Sequence, residues 1–266
     1  MITLSSAELY SWVAAFVWPL TRILGLIATA PLFGNLSIPV RVKVGLGVML
    51  SIVIAPTVPE VPAIDPMSLA GFLILIQQLV IGLAMGFAMR IVFAAVEMAG
   101  EISGLTMGFG FATFFDPQTR GRSSAISQFL ALLTLMIFLA LNIHLMMLST
   151  LADSFVTMPI AATPVGTGGF RQLTNWGGLI FSAGVQLALP ILAALLLTNI
   201  ALGVLTRAAP QLNLFGIGFP ITLGAGLLVL MLMLPYLATP LERLFHEGLG
   251  VVRQIGTPPQ TILTER

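Results

Sequence analysis

The chain has 266 residues and a formal net charge of +1; 58% of its residues are hydrophobic, only 8% are charged, and its mean hydropathy is +1.05. Ordinary soluble domains carry about 25% charged residues, so this composition excludes a soluble globule, and the small net charge argues against a nucleic-acid-binding surface. The absence of cysteine excludes disulfides, thiolate metal sites and thiol nucleophiles. We therefore expect an integral membrane protein.

The first apolar segment runs from about Leu9 to Ala30 and contains Arg22. A cation that faces lipid at this depth costs at least ~2.5 kcal/mol. We expect Arg22 to face protein or water, with a carboxylate or backbone carbonyls as its partner; snorkelling to the interface is the alternative. The residues before this segment lack the positive charge of a cleaved signal peptide, so we expect it to be retained.

Two apolar runs are shorter than the ~20 residues that a plain membrane span needs. Pro31 to Lys43 predicts a turn-rich connection, followed by a short run from Val44 to Ala55. Near the other end of the chain, Ile221 to Tyr236 forms a second short run after a break rich in proline and glycine. A topology of six plain membrane spans is therefore a poor description of the chain. We expect helices that pack against other protein as much as against lipid.

The apolar segment from Met67 to Met89 continues without a turn signal into a charged stretch. Glu97 and Glu101 are adjacent on one helix face, which is unfavourable without cations nearby. Arg90 lies about two turns earlier on roughly the same face. We expect an ion-pair cluster completed by a neighbouring subunit; a solvated helix end with independent charges is the alternative.

The stretch from Gly100 to Arg122 combines glycine, phenylalanine and one Asp-Pro break. Gly100, Gly104 and Gly108 recur every fourth residue and would form one bare face on a helix. The following phenylalanines and glycines weaken the helix, and a proline disfavours helix in the residue before it. The pattern predicts a close-packed half-helix that runs into a bulky, mobile loop; an ordinary membrane hairpin turn is the alternative.

The remaining segments complete the predicted plan. We expect one long helix over Ser124–Thr150, a loop over Ala161–Gly178, the longest apolar helix over Leu179–Thr206, and a mixed-charge tail from Leu241. His144 is interpreted as an interfacial or packed side chain rather than a proton relay. The predicted domain organisation is a single membrane-embedded domain over residues 1–256 and a flexible tail over residues 257–266.

The sequence contains no pattern that predicts an enzyme. Its glycines follow helices rather than strands, so they do not indicate phosphate loops. Two distant histidines make no metal site, and no serine or threonine has a base nearby in sequence. We expect no cofactor.

The motifs resemble the FliR family, the T-type export-gate subunits in the flagellar branch of type III secretion systems. The resemblance spans nearly the whole chain and is carried by P-L-F-G-N at residues 31–35, M-G-F-G-F-A-T-F-F-D-P at residues 107–117 and N-L-F-G-I-G-F-P at residues 213–220. One departure is Asn142-Ile143 before His144, where the flagellar pattern more often shows a glycine.

The resemblance implies an all-α integral membrane protein of kinked helical hairpins, packed in a helical hetero-oligomeric export gate. Its implied partners are the P-type and Q-type gate subunits, the B-type switch subunit, the A-type export protein, unfolded flagellar proteins in transit and membrane lipid. The implied location is the bacterial inner membrane within the flagellar basal body, partly projecting towards the periplasm. The alternative is a secondary transporter for a small solute, but no internal repeat supports it.

The resemblance also implies roles for particular residues. The loop that plugs the closed pore would comprise Met107, Gly108, Phe109, Gly110, Phe111, Phe114, Phe115, Asp116 and Pro117. Helix packing and assembly would use Gly82, Gly86, Gly100 and Gly104. The buried or intersubunit charges would be Arg22, Arg90, Glu97, Glu101 and Arg207.

Overall fold

The computed structural model describes residues 6–35, 37–59, 61–62, 64–109, 124–161, 167–209 and 214–255. Over these residues the regular secondary structure is helical, which confirms the all-α prediction. The helices are α1 (Ser6–Thr29), α2 (Val40–Ile54), α3 (Leu69–Met107), α4 (Ala125–Ala140), α5 (Ile143–Thr157), α6 (Thr167–Gly177), α7 (Leu179–Ala208), α8 (Leu214–Met233) and α9 (Ala238–Gln254). Short 3₁₀ turns follow α2 and α8, at Ala55–Thr57 and Leu234–Tyr236.

Five helical stretches of the described part are long and apolar enough to cross a membrane. They are Tyr10–Thr29, Val40–Thr57, Leu69–Met107, Gly168–Ala208 and Gly216–Tyr236, with a sixth if α4 and α5 count as one broken span. Only 17% of the Val40–Thr57 and Gly216–Tyr236 stretches is buried, against 67% for Leu69–Met107. Lipid or other protein must therefore cover most of the apolar surface of the first two stretches.

The contacts of the chain group into two units. The first unit comprises Met1–Ile91, Asn142–Gly177 and Phe245–Arg266, and the second comprises Val92–Leu141 and Gly178–Leu244. Helix α3 contributes its first part to the first unit and its last part to the second.

In the first unit, glycines bring α1 and α3 into backbone contact. A Cβ atom built on Gly25 would lie 2.8 Å from the carbonyl oxygen of Leu79, and one on Gly86 would lie 2.8 Å from the backbone nitrogen of Ala30. A Cβ atom on Gly82 would overlap the carbonyl oxygen of Arg22. Such close approach needs residues without side chains.

In the second unit, the last turns of α3 pack closely against other helices. A Cβ atom on Gly100 would lie 2.8 Å from the backbone nitrogen of Ser127 in α4, and one on Gly184 of α7 would lie 3.1 Å from the carbonyl oxygen of Ala95. Phe93 and Phe138 meet edge to face with their ring centroids 5.7 Å apart. The core of this unit therefore combines close backbone packing with an aromatic contact.

Helix α2 begins at Val40, so the prediction of a connection up to Lys43 is wrong. Pro39 precedes the helix with φ −57°, and its carbonyl oxygen accepts hydrogen bonds from Val42 and Lys43. A proline at this point loses no intrahelical bond, because the first N–H groups of a helix have no partner within it. With the 3₁₀ turn that follows, the stretch reaches 18 residues, near the lower limit of a membrane span.

Helix α6 occupies much of the predicted loop over Ala161–Gly178, and that part of the prediction is wrong. Gly169 lies against the backbone of Ile255, so closely that a Cβ atom there would overlap it. The indole N–H of Trp176 donates a 3.0 Å hydrogen bond to the carbonyl oxygen of Ala88. These tertiary contacts stabilise a segment whose glycines and threonines favour helix only weakly.

The predicted start of one helix and the prediction of which helix is longest are wrong. Helix α8 begins at Leu214 rather than Ile221 and carries Gly216, Gly218 and Pro220 inside it. Membrane helices tolerate such residues because neighbouring groups can satisfy the freed backbone. The longest described helix is α3, with 39 residues against 30 for α7.

The predicted continuous helix over Ser124–Thr150 is broken at Leu141 and Asn142. Asn142 adopts a left-handed conformation with φ 56°, which a regular helix does not contain. Among side-chain-bearing residues, asparagine is one of the few that adopts this conformation readily.

Helix α9 lies in the segment for which the sequence predicted only a mixed-charge tail. Its buried side chains include Leu241, Phe245, Leu249 and Val252, each at most 2% exposed. This spacing of three and four residues is the pattern of an amphipathic helix. The sequence therefore contained a signal for this helix, masked by the charged residues between its apolar positions.

Candidate functional site

The predicted plug loop lies largely outside the described residues. Gly110, Phe111, Phe114, Phe115, Asp116 and Pro117 all fall in the gap between residues 109 and 124. The end of α3, which leads into the loop, and the start of α4, which follows it, are described, and both belong to the second unit. The geometry of these two ends shows how the loop is held.

The loop leaves α3 one residue later than predicted. Met107 is the last residue of α3 and is fully buried, with Gly226 so close that a Cβ atom there would lie 2.6 Å from the Met107 Cγ. Met107 therefore lies at the end of the helix that leads into the predicted loop. Gly108 has φ 97° and donates its N–H to the carbonyl oxygen of Leu105 at 3.1 Å.

Gly108 therefore ends the helix in a conformation that favours glycine. It does not continue the face of Gly100 and Gly104, and that part of the packing prediction is wrong. Phe109 follows as a half-buried residue and is the first phenylalanine of the predicted plug.

The return of the loop is fixed at Ser124. The Ser124 side chain caps α4 by accepting a 3.1 Å hydrogen bond from the backbone N–H of Ser127. Its own backbone N–H donates a 2.7 Å hydrogen bond to Oε1 of Glu101, in the last part of α3. A capping serine contributes about 1 kcal/mol, and a hydrogen bond to a charged carboxylate about 1.5–3 kcal/mol.

Two serine hydroxyls complete the attachment of α4 to α3. Ser127 Oγ donates a 2.9 Å hydrogen bond to the carbonyl oxygen of Glu97. Ser124 Oγ lies 3.4 Å from the carbonyl oxygen of Gly100. We call these two serines, Glu97, Gly100, Glu101 and Gly104 the loop anchor. The anchor ties the residues that follow the loop to those that precede it, so the loop is closed at its base. Sequence reasoning found the glycines and glutamates but missed both serines, although a serine before an apolar run is a recognised helix-start signal.

The charged residues singled out from the sequence differ in their exposure and in their contacts. The Glu101 carboxylate is used within the chain, whereas the Arg90 and Arg207 side chains are exposed. Glu97 is half-buried and contributes its backbone carbonyl to the anchor. A cluster of Arg90, Glu97 and Glu101 completed by another subunit remains a prediction.

Arg22 lies in the interior of the first unit and has 0% exposure. Its Nε donates to Oε1 of Gln78 at 2.8 Å, and its Nη2 donates to the carbonyl oxygen of Met158 at 2.8 Å. Its Nη1 donates to the carbonyl oxygen and the hydroxyl of Ser154, at 2.8 and 3.0 Å. The guanidinium carbon also lies 4.3 Å from the centroid of the Phe155 ring.

These contacts place a cation at the carboxyl end of α5. The last carbonyl groups of a helix have no intrahelical partner and carry about half a negative charge between them. Arg22 donates to the carbonyl oxygen of Met158, just after the helix, and to that of Ser154, which also accepts the backbone N–H of Met158. One side chain thus joins α1, α3 and α5. Sequence reasoning expected backbone carbonyls or a carboxylate as partners; the partners in the structure are carbonyls, a hydroxyl and an amide.

Residues 13–248 match the family model described as bacterial export proteins, family 1. The chain belongs to this family. It is 46% identical to flagellar biosynthetic protein FliR of Pectobacterium carotovorum subsp. carotovorum, over 97% of this chain and 98% of that protein. It is 42% identical to the protein of the same name from Escherichia coli (strain K12), over 96% of this chain and 97% of that protein. It is 27% identical to the protein of the same name from Bacillus subtilis (strain 168), over 91% of this chain and 94% of that protein.

Membership of the bacterial export proteins, family 1, confirms the resemblance inferred from the motifs. The matched range contains both Arg22 with its partners and the whole loop anchor. Both arrangements therefore lie within the family match rather than in an added segment.

Proposed function

We propose that this chain is a non-enzymatic subunit of the flagellar type III protein export gate. Together with P-type and Q-type subunits it would form the channel through which unfolded flagellar proteins pass. The observation that carries this proposal is the similarity to flagellar biosynthetic proteins over nearly the full length of both chains.

The exposed apolar surface supports assembly with other membrane subunits. Helix α2 exposes Val42, Met49, Ile52 and Val53, each by more than half. On the same helix, a Cβ atom on Gly45 would have no other atom within 4 Å. A surface of this kind admits a close-packed helix from another chain as readily as it admits lipid. The proposed neighbours are the P-type and Q-type subunits, with the B-type switch subunit and the A-type export protein at the periphery.

The loop anchor supports a gating role for the segment between Met107 and Ser124. Hydrogen bonds from the serines of the anchor fix the base of the loop, while Gly108 ends α3 with a φ of 97°. The phenylalanines between these points would exclude water and ions from the closed channel, and the glycines would let them move aside. We propose that this loop helps to plug the resting pore. The chain would lie in the bacterial inner membrane within the flagellar basal body and project partly towards the periplasm.

Purification of the tagged chain from flagellated cells tests the assembly. We expect several small helical membrane proteins to co-purify with the chain at constant ratios, and the chain expressed alone to be degraded or aggregated. A stable monomer or homodimer that carries a small solute across vesicles would instead show a secondary transporter. The exposed apolar surface of α2 offers a matched test: Gly45→Leu should weaken co-purification, whereas a serine at the same position should not.

A further inference from the structure

The surroundings of Arg22 contain more hydrogen-bond donors than acceptors. The four hydrogen bonds of the guanidinium leave one of its five N–H groups, on Nη2, without an assigned acceptor. Among the described residues, Nε2 of Gln78 and Nε1 of Trp18 also have no hydrogen-bond partner. Both side chains are 0% exposed. A buried donor without an acceptor costs about 1–3 kcal/mol, so each of these three donors would be stabilised by an acceptor beside it.

The orientation of the Gln78 amide is determined by its neighbour. Arg22 Nε carries a hydrogen, so the atom that faces it must be the oxygen of the amide. Exchanging the amide oxygen and nitrogen would bring two donors together and cannot supply the missing acceptor. The Nε2 group shares the amide carbon of Gln78 with that oxygen and therefore also lies beside the guanidinium.

The register of α1 and α3 brings Trp18 to the same level as Gln78. A Cβ atom on Gly82 would contact the Arg22 and Leu26 backbones, and one on Gly86 would contact Leu26 and Ala30. Residue numbers thus rise together along the two helices. Gln78 lies about one helical turn before Gly82, and Trp18 lies about one turn before Arg22. The same register therefore sets Gln78 opposite Trp18. All of these residues belong to the first unit.

The charge at this place is incompletely compensated. The hydrogen-bond acceptors of Arg22 are all neutral, and the carboxyl end of α5 supplies about half a negative charge. No Asp or Glu side chain is buried among the described residues. Because Arg22 is enclosed by its own chain, a carboxylate of another subunit does not reach it in this arrangement. The compensating group must therefore be small enough to be enclosed.

We propose that Arg22, Gln78 and Trp18 form a binding site for one small monovalent anion of the halide type. A halide accepts several N–H hydrogen bonds and donates none, which matches a surplus of donors beside a cation. A water molecule would accept from one or two of these donors but would add two O–H donors of its own. The bound anion would strengthen the junction of α1, α3 and α5, and the inference does not depend on the export function.

The test is thermal unfolding of the full-length chain in its purified membrane complex, in chloride, bromide or gluconate at equal ionic strength. Gluconate is too large to be enclosed at this site. We expect the unfolding midpoint of the chain to be higher in chloride and bromide than in gluconate by at least about 2 °C. Equal midpoints in the three salts would overturn the proposal.

Variants assign the salt effect to this site. Trp18→Phe keeps an aromatic ring but removes the indole donor, and it should reduce the halide effect by at least half. Gln78→Glu keeps an acceptor for Arg22 and supplies a fixed negative charge. It should raise the midpoint in gluconate and abolish the halide effect. Trp12→Phe is the matched control, because Trp12 lies on the same helix and is 66% exposed. A full halide effect in Gln78→Glu would contradict the site.

A second measurement covers the case in which Trp18→Phe does not fold. The unaltered complex is prepared in bromide, and its structure is determined by diffraction with anomalous scattering at the bromine edge. A bromide peak in contact with Arg22 and Trp18 is expected. Density at this place without an anomalous signal would show a water molecule, and that result would overturn the anion assignment.

Discussion

The backbone N–H of Ser124 donates a 2.7 Å hydrogen bond to Oε1 of Glu101. This contact joins the first described residue after the proposed plug to the last part of the helix before it. The two residues are far enough apart in sequence to enclose the whole phenylalanine-rich segment, yet their contact closes that segment at its base. The two ends of the segment are therefore fixed to each other, which is what the proposed displaceable plug requires.

The first prediction concerns this contact. Glu101→Ala leaves the Ser124 N–H without its acceptor and should destabilise the start of α4 by about 1–2 kcal/mol. We expect increased ion leakage through membranes that carry the assembled gate, with normal amounts of the chain. Glu101→Gln retains an acceptor oxygen and should leak much less. Equal leakage in the two variants would show that the hydrogen bond does not position the loop.

The second prediction concerns the plug itself. Replacing Phe109, Phe111, Phe114 and Phe115 together with alanine removes the bulk that would exclude water and ions. Membranes carrying the assembled gate should then conduct small ions at rest. Phe181→Ala serves as the control, because this side chain is 65% exposed on α7. Unchanged resting conductance in the fourfold variant would count against the plugging role.

The third prediction concerns the contact of α1 with α3. Gly82→Ala would place a Cβ atom against the carbonyl oxygen of Arg22, and overpacking of this kind costs about 1–3 kcal/mol. Gly203→Ala in α7 meets no other atom of this chain within 4 Å and should be neutral or slightly stabilising. Midpoints of thermal unfolding of the chain in its purified membrane complex compare the two variants. Equal effects would show that the first contact can relax without cost.

The fourth prediction concerns Asn142. Its φ of 56° is unfavourable for a residue with a branched side chain, so Asn142→Val should destabilise the junction of α4 and α5 by about 1–2 kcal/mol. Asn142→Gly should be tolerated, because glycine adopts this conformation readily. The amount of chain retained in the membrane and its resistance to protease report the difference. A valine variant as stable as the glycine variant would contradict the left-handed conformation.

The fifth prediction concerns the geometry of Arg22. Lysine keeps the positive charge but has a single nitrogen, which cannot reach Gln78, Ser154 and Met158 at once. Arg22→Lys should therefore destabilise the chain by about 1.5–3 kcal/mol. Arg207→Lys is the control, because Arg207 is exposed in the last turn of α7. Similar thermal midpoints for the two variants would show that charge alone is sufficient at position 22.

The sequence was most informative where a single physical constraint decides the outcome. Very few charges and long apolar runs require lipid or apolar protein as solvent, and the structure confirms an all-α membrane protein. Proline and glycine were less reliable signals. Pro220 lies inside α8, and Gly169 lies inside α6, where its contact with the Ile255 backbone compensates for the weak helix propensity of glycine.

The chain composition and the order of its motifs determined the solvent, the helical class and the family, since each depends on residue types along the chain. The tertiary structure alone decided which acceptors receive the buried cation of α1, where the helix before the plug ends, and which serines close the loop. These contacts join residues far apart in sequence, and their partners are mostly backbone carbonyl and amide groups. Because every residue carries such groups, no pattern of side chains can identify the ones that are used.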